Sequence, residues 1–167
     1  MSRADLNKYM PIPETDSQTQ LQNFKVFPKH VGVWEGNWIR LDANGKELER
    51  FTGLLTKKIV DNQWVQTNTY QFADGRSVTQ NFVGLVAGEG IIKFESSDPP
   101  FCNYTLIAEE HGDSLIISKV WDKATGVLLG LETINLSDEN TCVRTSQGFT
   151  EEGKFRGVMV INKRRVG

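Results

Sequence analysis

The sequence predicts an all-β protein, a ten-strand antiparallel up-and-down barrel with a short N-terminal helix. Turn signals recur about every ten residues after Trp34, a spacing typical of a closed antiparallel barrel or sandwich. The segments between the turns are rich in Thr, Val, Ile, Phe, Tyr and Trp, which suit a pleated, half-buried surface. A small closed barrel encloses a space that can hold a ligand, so the fold class already indicates a binding function.

The turns also set the expected element boundaries. Residues 1–28 are predicted to form an N-terminal arm and short helix, and residues 29–167 the barrel. The expected strands are 33–41, 46–60, 63–73, 76–86, 90–97, 101–109, 114–121, 127–136, 141–149 and 154–163. In the helix, Ser17 is the predicted N-cap, Leu21 and Phe24 share one face, and Pro28 lies beyond the end. This helix could plug one mouth of the barrel, or the arm could pack on a second subunit in a homodimer.

Composition and charge exclude some partners. The chain of 167 residues has a net charge of −2, which does not attract nucleic acid. No apolar run approaches the roughly 20 residues that cross a bilayer, so no membrane partner is expected. The N-terminus lacks the apolar stretch of a secretion signal, and we therefore predict a cytoplasmic protein.

Cysteines and histidines give no pattern typical of a metal or cofactor site. Cys102 and Cys142 lie on candidate strands six and nine, so a disulfide across the barrel is conceivable, although two reduced, buried thiols are favoured. His30 precedes the first strand and His111 lies in a turn, and both are interpreted as surface residues. We expect no metal and no cofactor.

The register of the first hairpins predicts which side chains point inward. A two-residue turn at Asn44-Gly45 would place Trp38 opposite Phe51. The same alternation, carried through the turns at 61–62, 74–75 and 88–89, predicts further inward residues: Trp64, Gln66, Asn68, Tyr70, Phe72, Ser77, Thr79, Asn81, Val83, Ile92 and Phe94. On strand six the apolar face is Cys102, Tyr104, Leu106 and Ala108. On strand seven one face carries Leu115, Ile117, Lys119 and Trp121.

The predicted interior combines aromatic walls with a polar strip. Each buried polar group left unpaired costs roughly 1–3 kcal/mol, so a bound, partly polar ligand or an internal water network would be needed. We favour the ligand, a small aromatic molecule. The residues predicted to bind it are Trp38, Phe51, Trp64, Gln66, Asn68, Thr79, Asn81, Phe94, Lys119, Trp121 and Arg156.

Catalytic candidates are limited to isolated acid–base groups. The chain has no nucleophile elbow and no glycine-rich phosphate loop joined to a helix. A buried carboxylate can donate a proton, and an inward arginine can hold a substrate carboxylate. The catalytic candidates are Glu132, Arg144, Tyr70 and Tyr104, and the alternative for each such charge is an ion pair at the rim, as between Arg40 and Glu49.

A Gly-x-Trp motif opens the first strand at Gly32, Val33 and Trp34. In lipocalin-like barrels this indole closes the base and a C-terminal basic residue packs on it, a role that Arg164 or Arg165 could fill. The longer Gly-x-Trp-x-Gly opening is also similar to that of haem-binding nitrobindin-like barrels. Those barrels need a late histidine ligand that this sequence lacks, so haem is not expected.

A wider pattern resembles a lipocalin-like (calycin) domain family found mainly in cyanobacteria. It comprises 30–36 (HVGVWEG), Asp42-x-x-Gly45, 66–70 (QTNTY), Asp74-Gly75, 136–138, 144–145 and 163–166. The match covers roughly residues 29–166 and implies a calycin-type barrel.

Three alternative functions follow, of which the resemblance implies the first. The first is an intracellular cofactor-independent cyclase that closes a ring, with loss of carbon dioxide, on an indole- and phenol-bearing β-keto acid in the biosynthesis of the pigment scytonemin. The second is a non-catalytic carrier of a pigment, tetrapyrrole or lipid. The third is a chromophore-attaching lyase of the phycobilin type. Trp and Tyr walls, which could stack an indole and a phenol, are compatible with the first.

Overall fold

The computed structural model describes residues 19–167. The predicted arm and the Ser17 N-cap lie outside the described residues. No helix within 19–167 is long and apolar enough to cross a membrane.

The fold is a closed antiparallel barrel of ten strands in which each strand pairs with its neighbours in the chain. The pairing of β1 with β10 closes the barrel, which confirms the predicted fold class. The strands are β1 Gly32–Asp42, β2 Glu47–Val60, β3 Gln63–Phe72, β4 Ser77–Gly88, β5 Ile91–Glu95, β6 Tyr104–His111, β7 Leu115–Asp122, β8 Leu128–Asp138, β9 Thr141–Phe149 and β10 Phe155–Arg165.

Two short 3-10 helices, Leu21–Asn23 and Phe27–His30, stand where the sequence predicted one helix. Leu21 and Phe27 are buried and pack against the barrel interior, so this segment plugs one end of the barrel. The Glu110 carboxylate fixes the plug by accepting hydrogen bonds from the backbone N–H groups of residues 25, 26 and 27, at 2.7, 2.7 and 3.1 Å.

The plugged end is further closed by Trp34, which is fully buried. The Arg165 guanidinium lies 4.5 Å from the centre of the Trp34 ring, within the range of a cation–π contact. The indole N–H donates to the carbonyl of His30 at 2.9 Å. The prediction that a C-terminal basic residue packs on this tryptophan is confirmed, and the residue is Arg165.

Register explains which inward predictions were right. Trp38 pairs with Phe51, and the type I′ geometry of the Asp61-Asn62 turn, with φ of 50° and 60°, carries the alternation correctly into β3. The first turn holds three residues, 43–45, rather than two, because the Asp42 N–H donates to the Lys46 carbonyl at 2.8 Å and the Gly45 N–H donates to the Asp42 carbonyl at 3.0 Å. A bulge next to Arg40 then restores the predicted pairing.

The turn at Asp74-Gly75 reverses the expected faces of β4. It also holds three residues, 73–75, since the Phe72 N–H donates to the Arg76 carbonyl at 2.9 Å and the Gly75 N–H donates to the Phe72 carbonyl at 3.0 Å. This one-residue shift is not compensated within β3 and β4, and a one-residue shift moves every side chain to the other face. The inward placement of four residues was therefore wrong, and they lie on the outer face: Ser77, Thr79, Asn81 and Val83.

The faces of β7 were also predicted wrongly. The strand turns Ile116, Ser118 and Val120 into the barrel, where they are buried. Lys119 is exposed, and Trp121 lies on the same outer face. Beyond β7, the inward placement of Glu132 and Arg144 is correct, because these residues pair with the inward Ser118 and Ile161.

Candidate functional site

The barrel interior contains a continuous lumen that is deep and narrow at the plugged end and wide at the other. The deep cavity has a volume of about 110 Å³ and the wider mouth about 500 Å³. Phe101, Val120 and Glu132 line both spaces and so mark where they join. A ligand that enters from the mouth would meet the deep cavity at its far end.

Aromatic and aliphatic side chains form most of the deep wall. Phe27 of the plug meets Trp64 edge-on at 5.8 Å between ring centres, and this contact forms part of the floor. The other apolar residues of the wall are Phe82, Phe94, Phe101, Leu106, Ala108, Ile116, Val120 and Ile134. Such a wall binds a flat apolar body and leaves orientation to the few polar groups present.

Four side chains of β3 form a ladder of hydrogen bonds along one wall. The Trp64 indole N–H donates to the Gln66 Oε1 at 2.9 Å, and the Gln66 amide donates to the Asn68 Oδ1 at 2.8 Å. The Asn68 amide then donates to the Tyr70 hydroxyl at 3.2 Å. Since this hydroxyl accepts from Asn68, its own proton takes no part in the ladder, and Tyr70 lines the deep cavity. The ladder thus satisfies Gln66 and Asn68, the two predicted polar residues of this interior that do point inward.

Tyr70 remains a proton donor in this environment. Burial disfavours the phenolate and raises the pKa of Tyr70 above its ordinary value of 10.0. The nearby charge of Arg144 opposes this shift, whereas Glu132 adds to it. The hydroxyl is therefore neutral at physiological pH and can donate a hydrogen bond.

Glu132 and Arg144 form an ion pair in the middle of the lumen. The Arg144 Nη2 donates to the Glu132 Oε1 at 2.6 Å, and the Ser146 hydroxyl donates to the same oxygen at 3.3 Å. The two side chains are 17% and 16% exposed, so water screens the pair weakly. Burial lowers the pKa of Arg144, but Glu132, with Tyr70 and Cys142, outweighs burial, and the pKa of Arg144 lies above its ordinary value. Both contacts to Glu132 come from donors, which suits a carboxylate rather than a proton-donating acid.

A cluster of basic side chains lies at the deep end of the lumen. It consists of Lys57, Lys163, Arg144 and His30, all of which line the deep cavity. Lys57 is 5% exposed and Lys163 is 1% exposed, and neither forms an ion pair with a carboxylate of residues 19–167. We call these four residues the basic cluster.

Several nitrogen atoms of the basic cluster lack a protein partner. Within residues 19–167, three buried side-chain nitrogens have no hydrogen bond: His30 Nε2, Arg144 Nε and Lys163 Nζ. Unsatisfied buried polar groups are rare in folded proteins and call for an explanation such as an absent ligand or ordered water.

Burial alters the protonation of this cluster. It lowers the pKa of His30 to about 2, with Lys57 and Lys163 adding to the effect, so this imidazole is neutral. Burial, with the charge of Lys163, also lowers the pKa of Lys57 well below its ordinary value of 10.5. The pKa of Lys163 is lowered as well, chiefly by burial.

Most sequence-predicted site residues lie in the lumen, although at different depths. Trp64, Gln66, Asn68, Tyr70, Phe94, Glu132 and Arg144 line the deep cavity. Tyr104 and Arg156 line the mouth. Trp38 and Phe51 also point inward but pack behind Tyr70, with ring centres 5.2 and 5.6 Å from its ring, and neither lines the cavity. The outward residues Thr79, Asn81, Lys119 and Trp121 are not part of this lumen.

Sequence reasoning found Arg144 but missed the other three residues of the basic cluster. Lys57 lies on the same face of β2 as the predicted inward residue Phe51, so it could have been found from the register. Lys163 belongs to a run of three basic residues near the end of the chain, a pattern typical of a solvated strand end, but it is buried opposite Gly36. His30 was expected at the surface and is instead 1% exposed, because the second 3-10 helix folds into the barrel.

The cysteines are both free. Cys142 is buried, as predicted, whereas Cys102 is half-buried in a 3-10 turn, Phe101–Asn103, rather than on a strand. Within the described part of the chain, no group of His, Cys, Asp or Glu residues is arranged to hold a metal ion.

Comparison with known proteins assigns the family. The domain of unknown function DUF3598, N-terminal, matches residues 17–167. The chain belongs to the DUF3598 family. No protein of curated function matches it significantly in sequence.

Solved structures of similar fold include a DUF3598 protein of unknown function from Nostoc punctiforme PCC 73102. Its TM-score is 0.63 at 16% identity, and the likeness covers 84% of this DUF3598 chain and 49% of that protein. The chain thus spans about half the length of that relative.

Two further structures share the fold along nearly their whole length. The S-type phycobiliprotein lyase CPES from Guillardia theta has a TM-score of 0.65 at 12% identity, covering 84% of this chain and 90% of the lyase. Rv2717c from M. tuberculosis has a TM-score of 0.62 at 12% identity, and the likeness covers 83% of this chain and 94% of Rv2717c.

Proposed function

We propose that this DUF3598 domain binds a small, flat, anionic molecule of pigment type in its barrel. The observation that carries the proposal is the basic cluster at the blind end of an aromatic lumen. An elongated ligand would enter through the mouth, stack its rings on the apolar wall and place its acidic group against the cluster. A propionate or other carboxylate is the simplest such group.

The charge balance of the lumen supports an anionic ligand. Three basic side chains of the deep cavity, Lys57, Lys163 and Arg144, face a single carboxylate, that of Glu132. Buried charges normally have a partner, because an isolated charge in a medium of low dielectric is costly. A ligand carboxylate would partner the free Arg144 Nε and Lys163 Nζ, both of which are buried.

The fold comparison supports a pigment rather than an arbitrary acid. One of the barrels similar to this chain is an S-type phycobiliprotein lyase. Two functions agree best with this similarity in fold. One is a non-catalytic carrier of a pigment, tetrapyrrole or lipid, and the other is a chromophore lyase.

Ligand titration tests the binding proposal. Trp64 lies in the cavity wall, so its fluorescence should respond to ligand. We would titrate the protein with biliverdin, a long-chain fatty acid and indole-3-pyruvate, each beside its methyl ester. We expect at least one acid to bind roughly tenfold or more tightly than its ester, a difference of about 1.4 kcal/mol.

Matched variants locate the bound acid. Lys163→Met should weaken binding of the acid and leave the ester unaffected, whereas Lys119→Met, on the outer face, should change neither. Equal affinity of acid and ester, or equal effects of the two variants, would contradict the proposal.

The second candidate is the decarboxylating cyclase, and the placement of Tyr70 favours it. Its neutral hydroxyl lines the same cavity as Arg144 and Glu132. In such a reaction Arg144 would hold the carboxylate of the β-keto acid and Tyr70 would donate a hydrogen bond to the ketone oxygen. Enclosure in the lumen would fold the indole and phenol arms toward each other.

Turnover separates the cyclase from the carrier. The protein is incubated with an indole- and phenol-bearing β-keto acid, and cyclised product and carbon dioxide are measured. We expect Tyr70→Phe to lower kcat roughly a hundredfold, the usual scale for loss of a positioned acid. Retention of the unchanged acid in a one-to-one complex would leave the carrier as the function.

A further inference from the structure

A pair of buried amines lies at the deep end of the lumen. Lys57 on β2 and Lys163 on β10 flank β1, where they pair with Gly32 and Gly36 respectively. Gly36 has no side chain, so the stem of Lys163 lies across β1 toward the position of Lys57. A Cβ on Gly36 would stand 2.6 Å from the Lys163 Cγ. Both amines reach the same cavity.

The surroundings of this pair are unusual for lysine. The Lys57 Nζ lies 6.0 Å from the ring centre of Trp34, and this tryptophan is fully buried. Neither amine is paired with a carboxylate of residues 19–167, and a lysine buried without a partner is rare in a folded protein. Ion pairing therefore does not explain why two lysines occupy this site.

We propose that Lys57 forms an imine with the carbonyl group of a keto acid bound in the lumen, while Lys163 and Arg144 hold its carboxylate. This inference rests on the proposed binding of an anionic ligand, and it adds the chemical class of that ligand. The site then binds its ligand covalently and reversibly.

The step balances without any further reactant. The lone pair of the neutral Lys57 amine attacks the carbonyl carbon, and the carbonyl oxygen takes up a proton to give a carbinolamine. The nitrogen then loses a proton, the hydroxyl group takes up a proton and leaves as water, and the protonated carbon–nitrogen double bond that remains loses the second nitrogen proton to give the imine. Hydrolysis by one water molecule reverses the step and releases the ligand.

The environment favours the neutral amine that this step needs. A desolvated lysine next to another cation is an activated nucleophile. The ionisable groups that act on Lys57 are Lys163, Arg144 and Cys142. Burial and the two cations lower the pKa of Lys57, and only Cys142 acts in the opposite direction. The neutral imidazole of His30 also faces the cavity.

Lys57 rather than Lys163 is assigned as the amine that reacts. Burial lowers the pKa of both lysines, and that of Lys57 lies well below its ordinary value, whereas on Lys163 Cys142 and, more weakly, the carboxylate of Glu132 oppose the shift. Lys163 is thus the neighbouring cation, and its role is to position the carboxylate and to keep Lys57 neutral.

An imine also gives the site a chemical capability. Once the nitrogen of an imine is protonated, it withdraws electrons from the adjacent carbon. With a β-keto acid, the bond to the carboxylate can then break, its electron pair moving toward the nitrogen as carbon dioxide leaves. The resulting enamine takes up a proton on carbon, and water hydrolyses the imine to release the decarboxylated ketone.

Reductive trapping tests the inference. The full chain is incubated with benzoylacetate or indole-3-pyruvate and sodium cyanoborohydride, which reduces imines and spares ketones. We expect one adduct per chain by intact mass, mapped to Lys57 by peptide analysis. Lys57→Met should lose the adduct. Lys58→Met is the matched control, because Lys58 is the next residue of β2 and is exposed, and it should label like the wild type.

A second variant tests the role of the neighbouring cation. Lys163→Met should reduce the labelling rate about tenfold or more at neutral pH, and the rate should recover at higher pH. Lys163→Arg keeps the positive charge and should retain most of the rate. This pH dependence would not follow from a merely structural role. Thermal unfolding of each variant checks that it is folded.

The outcomes separate this inference from the binding proposal. Quenching of Trp64 fluorescence by the same acids without an adduct at Lys57 would overturn the imine and leave ligand binding intact. An adduct at Lys163 would overturn the assignment of the amine. Neither quenching nor adduct with either acid would count against both proposals.

Discussion

Gly36 lies directly opposite Lys163 in the β1–β10 pairing, and the absence of a side chain at Gly36 makes room for the buried lysine. A methyl group there would stand 2.6 Å from the Lys163 Cγ and 2.4 Å from the backbone oxygen of Asn162. The second contact cannot be relieved by moving a flexible side chain. This glycine is therefore needed for both the wall and the basic cluster.

Gly36→Ala should accordingly lower the free energy of unfolding by about 1–3 kcal/mol, the usual cost of overpacking. It should also weaken ligand binding, because it displaces the Lys163 amine. Urea unfolding and fluorescence titration measure the two effects. Gly148→Ala is the control, since its nearest neighbour, the Arg156 Cβ, would lie at an ordinary 3.8 Å. Equal stability of the two variants would show that the wall can shift.

The Glu132–Arg144 pair should contribute more than a surface pair. Glu132→Gln keeps the shape of the side chain but leaves the buried charge of Arg144 without its counterion. We expect the free energy of unfolding to fall by about 1–3 kcal/mol in chemical denaturation. Glu49→Gln is the comparison, because the Arg40–Glu49 pair is 3.2 Å long but 43% and 31% exposed. Its loss should cost about 0.5 kcal/mol or less.

His30 should make stability depend on pH. Its pKa is lowered from 6.5 to about 2 by burial and the nearby lysines, so between these values the unfolded chain binds a proton that the folded protein does not. The free energy of unfolding therefore falls as the pH falls through this window, by at most about 1.4 kcal/mol per pH unit. His30→Leu should flatten this dependence in denaturation measured from pH 7 to pH 4.

His111→Gln serves as the control for this prediction, because the His111 side chain is 45% exposed. It should leave the pH dependence unchanged. If His30→Leu keeps the wild-type dependence, carboxylates rather than this imidazole govern the acid response.

Arg165 should hold the plugged end of the barrel together. Its guanidinium packs on Trp34 and donates to the backbone carbonyls of Lys29, Val31 and Glu139. Arg165→Met should lower the free energy of unfolding by roughly 1–3 kcal/mol and shift the fluorescence of the buried indole. Arg164→Met, on the exposed face of the same strand, should change neither quantity. A stable Arg165→Met protein with unshifted fluorescence would contradict this role.

The sequence by itself determined the fold and half of the interior. Turn signals are local, so the positions of the ten strands could be predicted, and the two left-handed residues Asp61 and Asn62 make a true two-residue turn. This turn fixed the inward face of β3, from Trp64 to Tyr70. The Gly-x-Trp motif likewise indicated the contact between Trp34 and a C-terminal arginine.

Only the tertiary structure decided the rest of the candidate site. The Asp74-Gly75 turn can close with two or with three residues, and the single extra residue moves Thr79 and Asn81 to the outside. Pairing with the neighbouring strands selects between these turns, so the choice is not encoded locally. The positions of Lys57 and Lys163 are likewise not encoded locally. Solvation of the charge favours an exposed position for a lysine, and only the closed barrel holds these two side chains within the lumen.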